Sequence, residues 1–108
     1  MTTLRTDKLP EPEVWSVALQ VAAIVRRVTG DPAYRVFLFG SWASGEARER
    51  SDIDIAIDGP APVTPGAMFE IRNACDALPT LYTIEVVDFA RVVPDFRREA
   101  RLVEVEPA

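Results

Sequence analysis

At 108 residues and 12.0 kDa, with 48% apolar residues, the chain is the size of one ordinary domain and can fill one core. A formal charge of −5 argues against a protein that wraps nucleic acid, and the one lysine, Lys8, leaves no basis for a lysine-centred phosphate loop. One cysteine, Cys75, excludes an internal disulfide, and the lack of histidine removes the commonest zinc ligand and imidazole base, so any bound metal should be hard and oxygen-ligated.

Residues 1–12 are polar, carry two prolines and read as a loose arm ahead of a single domain over 13–108. Met1 to Glu13 has no apolar secretion-signal stretch, and nowhere do roughly 18 consecutive apolar residues occur, so the expected location is the cytoplasm with no membrane association. Val14, Val17, Ala18, Val21, Ile24, Val25 and Val28 recur at helical spacing, with Gly30 as the stop and Asp31-Pro32 behind it. Tyr34 to Phe39, aromatic and branched, predicts a buried strand ended by Gly40. Ser41 to Ser51 is small and charged, as expected of a surface turn or one helical turn outside the core.

Asp52-Ile53-Asp54-Ile55-Ala56-Ile57-Asp58 alternates strictly, which predicts a half-buried strand with isoleucines on one face and aspartates on the other. Gly59 to Pro65 is a loop, and Met68, Ile71, Cys75 and Leu78 mark the inner stripe of a second helix. Leu81 to Phe89 predicts a third strand, with Tyr82, Ile84 and Val86 on one face and Thr83, Glu85 and Val87 on the other. Pro94 opens a short charged helix to about Ala100, and Leu102 to Val105 can add an edge strand. The expected fold is therefore α/β (α+β): a small mixed sheet with helices over one face and the other face partly open.

The chemistry concentrates in Gly40-Ser41-Trp42-Ala43-Ser44-Gly45 and Ser51-Asp52-Ile53-Asp54. Gly40 has no side chain to keep backbone amides and a hydroxyl away from a phosphate. Aspartates two apart on a strand project side by side and repel unless a cation sits between them, and two magnesium ions can clamp the attacking and leaving oxygens of a phosphoryl displacement. Alternation aims Glu85 at the same face as Asp52 and Asp54, as a third metal ligand or a base for an incoming hydroxyl, whereas Asp88 points the other way and reads as a strand-end residue. Taken singly, a glycine-serine pair is an ordinary turn and spaced aspartates are a solvated edge. Their combination in this order carries the reading. Cys75, on an apolar stripe, reads as core; Trp42 can stack on a base, anchor a partner or pack over the turn.

Gly40-Ser41, Gly45 and Ser51-Asp52-Ile53-Asp54-Ile55 resemble the glycine-serine and paired-aspartate motif of nucleotidyltransferases related to DNA polymerase beta, over roughly Val14 to Val105. The short chain and its closing Phe96 to Val105 segment look like the minimal, MNT-type branch. This resemblance implies the nucleotidyltransferase fold, with Ser41 on the triphosphate, Asp52 and Asp54 on Mg2+ and a third acid on a later strand, here Glu85; Gly40, Ser44 and Ser51 complete the expected nucleotide contacts. It further implies transfer of a nucleoside monophosphate, AMP from ATP, to a hydroxyl on a protein partner, with the chain acting as antitoxin of a helical HEPN-type ribonuclease. Two departures stand out. Trp42 and Ser44 occupy a turn where the branch often carries arginines, leaving Arg48 and Arg50 as further phosphate contacts, and the third acid is glutamate rather than aspartate. They suit an alternative in which catalysis is weak or lost and the acidic chain neutralises a toxin by covering it. A drug-modifying transferase fits less well, because the chain lacks the extra helical region those enzymes generally use.

Overall fold

The computed structural model describes residues 11–45, 47, 51–92 and 101–106. The expected helix from Pro94 to Ala100, nearly all of the arm over 1–12, and Arg48 and Arg50 lie outside those residues. Helix α1 (Pro12–Thr29) begins on a proline, which suits a first turn that has no use for the missing N–H. It ends where Gly30 turns left-handed at φ 67° and donates its N–H to the Arg26 carbonyl at 2.9 Å. Strand β1 (Arg35–Phe39), the single helical turn α2 (Ser41–Ser44) and strand β2 (Ile53–Asp58) follow. Helix α3 (Pro65–Asp76) is capped by the Thr64 hydroxyl, which accepts from the Ala67 amide at 3.2 Å. Strand β3 (Ile84–Asp88), a 3₁₀ turn (Phe89–Arg91) and strand β4 (Val103–Val105) complete the described elements.

The sheet order is β3-β2-β1-β4, with β1 antiparallel to both β2 and β4 and β2 parallel to β3. A parallel pair needs a crossover, and α3 supplies it across the same sheet face as α1. Ile53, Ile55 and Ile57, all fully buried, meet Val36, Leu38 and Val86 from the strands and Val14, Val21, Val25 and Ile71 from the helices. Each such isoleucine contributes about 2 kcal/mol of burial, so the β2 alternation pins the register of the central strand. Cys75 lies in this core, as expected, and burial, reinforced by Asp76, pushes its thiol up to about 11. The far end of β1 is tied to β4 by Arg35, which donates two hydrogen bonds to Glu104 at 2.8 and 2.6 Å.

Two expectations change. Tyr34 to Phe39 is half-buried rather than wholly buried, because Arg35, Phe37 and Phe39 alternate away from the core that takes Val36 and Leu38. The Ser41 turn is not all surface: Trp42 and Ala43 are buried, since one helical turn throws both side chains back onto the core. The face opposite the helices is partly open, as expected: Ala56 is fully buried there and Phe89 stacks at a tilt on Phe39 with centroids 6.1 Å apart. Phe89 itself leaves β3 and enters the 3₁₀ turn. There the Asp88 carboxylate accepts from the Ala90 amide at 3.0 Å and the Val63 amide at 2.7 Å, the strand-end role its alternation implied.

Candidate nucleotide site

Gly40 sits at the junction of β1 and α2 with φ 75° and ψ −154°, a backbone region essentially reserved for glycine. Phe39 pairs with Asp54 across the β1–β2 ladder, and this brings the Asp54 carboxylate down onto the Gly40 backbone. A Cβ at Gly40 would overlap the Asp54 carboxylate oxygen outright and stand 3.0 Å from its carboxyl carbon. Two independent features therefore require glycine here: the conformation and the space. Ser41 follows directly as the first residue of α2 and is half-buried.

On the other side of β2, Asp54 stands in register with Glu85 of the parallel strand β3. Directly opposed residues on adjacent strands share a sheet face, which puts Glu85 on the face of Asp54 and leaves Asp88, opposite Ile57, on the helix-covered face. Asp52, just before β2, is exposed and acts on Asp54 through its charge. The Asp54 carboxyl is raised above the usual aspartate range, first by burial and then by the negative charges of Asp52 and Glu85. This is a carboxylate in a negative field whose repulsion a divalent cation would relieve.

Among the described residues no three acidic, cysteine or histidine side chains are gathered into a ready metal cage. Magnesium suits such a partial set, since it is commonly held by one or two carboxylates with phosphate oxygens and water completing its shell. Asp52, Asp54 and the glycine cradle that admits a carboxylate against the turn fit that ion.

The other expected nucleotide contacts shape the turn. Ser44 donates its hydroxyl to the Ser41 carbonyl at 3.3 Å, and the amides of Ala43 and Ser44 both reach the Gly40 carbonyl, at 3.1 and 3.0 Å. Ser51 offers its backbone carbonyl to the Trp42 indole N–H at 2.9 Å. That bond and the edge-on contact between Trp42 and Tyr82, with centroids 5.9 Å apart, had no signal beyond an aromatic residue in a polar turn. Packing over the turn is thus the role Trp42 has in this fold.

A mixed four-stranded sheet, two helices on one face, and a glycine-serine turn abutting a strand of paired aspartates together define a nucleotidyltransferase fold of the DNA polymerase beta kind. The chain belongs to the polymerase beta nucleotidyltransferase family, whose model matches residues 31–103. It is 32% identical over 74 residues to a probable protein adenylyltransferase, MntA, of Haemophilus influenzae, a match that takes in 68% of this chain. The chain spans 65% of that relative's length. Among solved structures, a chain of the tri-AMPylated Shewanella oneidensis HEPN toxin in complex with MNT antitoxin superposes with a TM-score of 0.62 at 18% identity, over 88% of this chain and 73% of that one. A toxin-antitoxin structure with AMP-PNP gives 0.57 at 20% identity, over 83% of this chain and 73% of that one. At such identities the likeness establishes the fold.

Proposed function

We propose that this chain is a Mg2+-dependent nucleotidyltransferase that moves AMP from ATP to a hydroxyl of a protein partner, and that it serves as the cytoplasmic antitoxin of a HEPN-type toxin. The observation that carries the proposal is the placement of Asp54 between Gly40 and Glu85: one carboxylate touches the phosphate turn and faces the third acid. The similarity to a probable protein adenylyltransferase and to a chain from a HEPN–MNT complex supports the choice of acceptor and partner. No helix among the described residues is long and apolar enough to cross a membrane, which suits a cytoplasmic location.

In this reading Ser41 and the α2 backbone hold the triphosphate, while Ser44 and Ser51 keep the turn in shape. Asp52 and Asp54 hold magnesium, which when bound neutralises charge on the reacting phosphate and the departing pyrophosphate. Glu85, exposed at the end of the row, takes the proton from the acceptor hydroxyl. The acceptor oxygen bonds to the α-phosphorus, the α–β bridging bond breaks, and pyrophosphate leaves.

The test is to purify the chain with its helical partner, add ATP and magnesium, and weigh the partner. An adenylyl-sized increment that disappears in Asp52→Ala/Asp54→Ala is the expected result. A tight complex with no increment would overturn the transferase in favour of neutralisation by binding. Glu85→Gln should lower the transfer rate about 100-fold or more while leaving nucleotide affinity within a few-fold of wild type.

A further inference from the structure

Trp42 touches all three segments that carry the candidate site. It belongs to the turn after Ser41; its indole N–H donates to the carbonyl of Ser51, one residue ahead of Asp52; and its ring meets Tyr82 edge-on, three residues ahead of Glu85. Trp42 is buried, with 8% of the residue's surface exposed, so its position is set by packing and not by solvent. A third link lies alongside, where the Ile53 amide donates to the Thr83 carbonyl at 2.8 Å and fastens the start of β2 to the approach to β3. The indole bond ties the turn directly to the residue ahead of Asp52.

From this arrangement we infer that Trp42 is a positioning residue for the nucleotide: it fixes the phosphate turn at the separation from Asp52 and Asp54 that one metal–nucleotide complex requires. The inference rests on the nucleotidyltransferase reading of the site and adds the residue that sets its spacing. A phosphate held by Ser41 and a cation held by the aspartates belong to one ligand, so a small change in their separation weakens that ligand although each half-site survives. A cation alone needs only the aspartates. Loss of the indole bond should therefore weaken Mg-ATP much more than a bare cation, a split that simple destabilisation does not produce.

The substitution Trp42→Phe keeps an aromatic ring near Tyr82 and removes the N–H together with the rest of the indole's five-membered ring; thermal melting reads the cost of the smaller side chain separately. In the full chain, Mg-ATP affinity is read by calorimetry, Mn2+ affinity by electron paramagnetic resonance, and folding by thermal melting. The expected result is a loss of about five- to tenfold in Mg-ATP affinity, the scale of one hydrogen bond, with Mn2+ affinity within about twofold. Trp42→Leu, which also removes the contact to Tyr82, should lose more Mg-ATP affinity while keeping the Mn2+ value. Equal losses for Mg-ATP and Mn2+, or Mg-ATP binding untouched by Trp42→Phe, would overturn the positioning role and leave the nucleotide reading standing. Failure of the wild-type chain itself to bind Mg-ATP would overturn the nucleotide reading and this inference together.

Discussion

Replacing Gly40 with alanine should be among the most damaging single-methyl changes available in this protein, and the size of the effect can be worked from its surroundings. The backbone at φ 75° and ψ −154° costs a non-glycine residue about 1–3 kcal/mol. The new Cβ would also overlap the Asp54 carboxylate and come within 3.0 Å of its carboxyl carbon, so the aspartate must leave its place. A combined loss of about 3 kcal/mol corresponds to a fall in Tm of roughly 12–24 °C for a domain of this size. Gly30→Ala is the control, because Gly30 also has positive φ, 67°, but has nothing within 4 Å of a Cβ; it should cost only about 1 kcal/mol. A double-mutant cycle separates the two causes. Asp54→Ala removes the carboxylate and leaves its Cβ 3.2 Å from the new methyl, so Gly40→Ala should be about 1 kcal/mol milder in that background. Urea titrations followed by circular dichroism measure all of these. If Gly40→Ala proves no worse than Gly30→Ala, or if the cycle shows no coupling, the carboxylate does not rest on the turn and the site geometry is wrong.

Asp54 also contributes to how stability depends on pH. Because its carboxyl is raised above the ordinary value of 3.8, the folded metal-free chain binds this proton more tightly than the unfolded chain. Its contribution therefore favours folding at low pH and turns against folding as pH rises from 3.8 through the elevated value. Asp54→Asn should thus melt higher than wild type at pH 7 without metal and, on the proposed reading, should not gain the stability that Mg2+ is expected to add to wild type, as checked by melting with and without the ion. Asp88→Ala, which strips acceptors from the Val63 and Ala90 amides inside the fold, should cost about 2–4 kcal/mol in chemical denaturation yet leave Mn2+ affinity unchanged. Alkylation of Cys75 at pH 8 should run about 100-fold or more slower in the folded than in the unfolded chain, because burial lifts the thiol to about 11; comparable rates would place it outside the core.

Much of this was legible before any coordinates. The strict alternation through Ile53, Ile55 and Ile57 determines both the core face of β2 and the face of Asp54, and the same parity carried to β3 puts Glu85 opposite Asp54 and Asp88 opposite Ile57. The helix spacing of Val14 to Val28 and the stop at Gly30 were equally plain, since a helix end needing positive φ selects glycine. Burial of Trp42 and Ala43 was not legible, because composition marks Ser41 to Ser51 as a polar loop while one helical turn folds its apolar pair inward. Nor was the burial of Ala56, which depends on what covers the second face and not on the strand's own pattern. The Trp42 bond to Ser51 joins residues whose separation follows no helix or strand period, so no local rule points to it.

The parallel pairing of β2 with β3 has a consequence for how this protein acquires its binding ability. The antiparallel β1–β2 pair can zip from a nearby loop, bringing Gly40 and Asp54 together early, but β3 can dock only after α3 has formed and swung across the sheet. On the proposed reading, Glu85 therefore joins its row of acids after Gly40 and Asp54 have met, so the turn proposed to hold phosphate would form before the proposed base is in place.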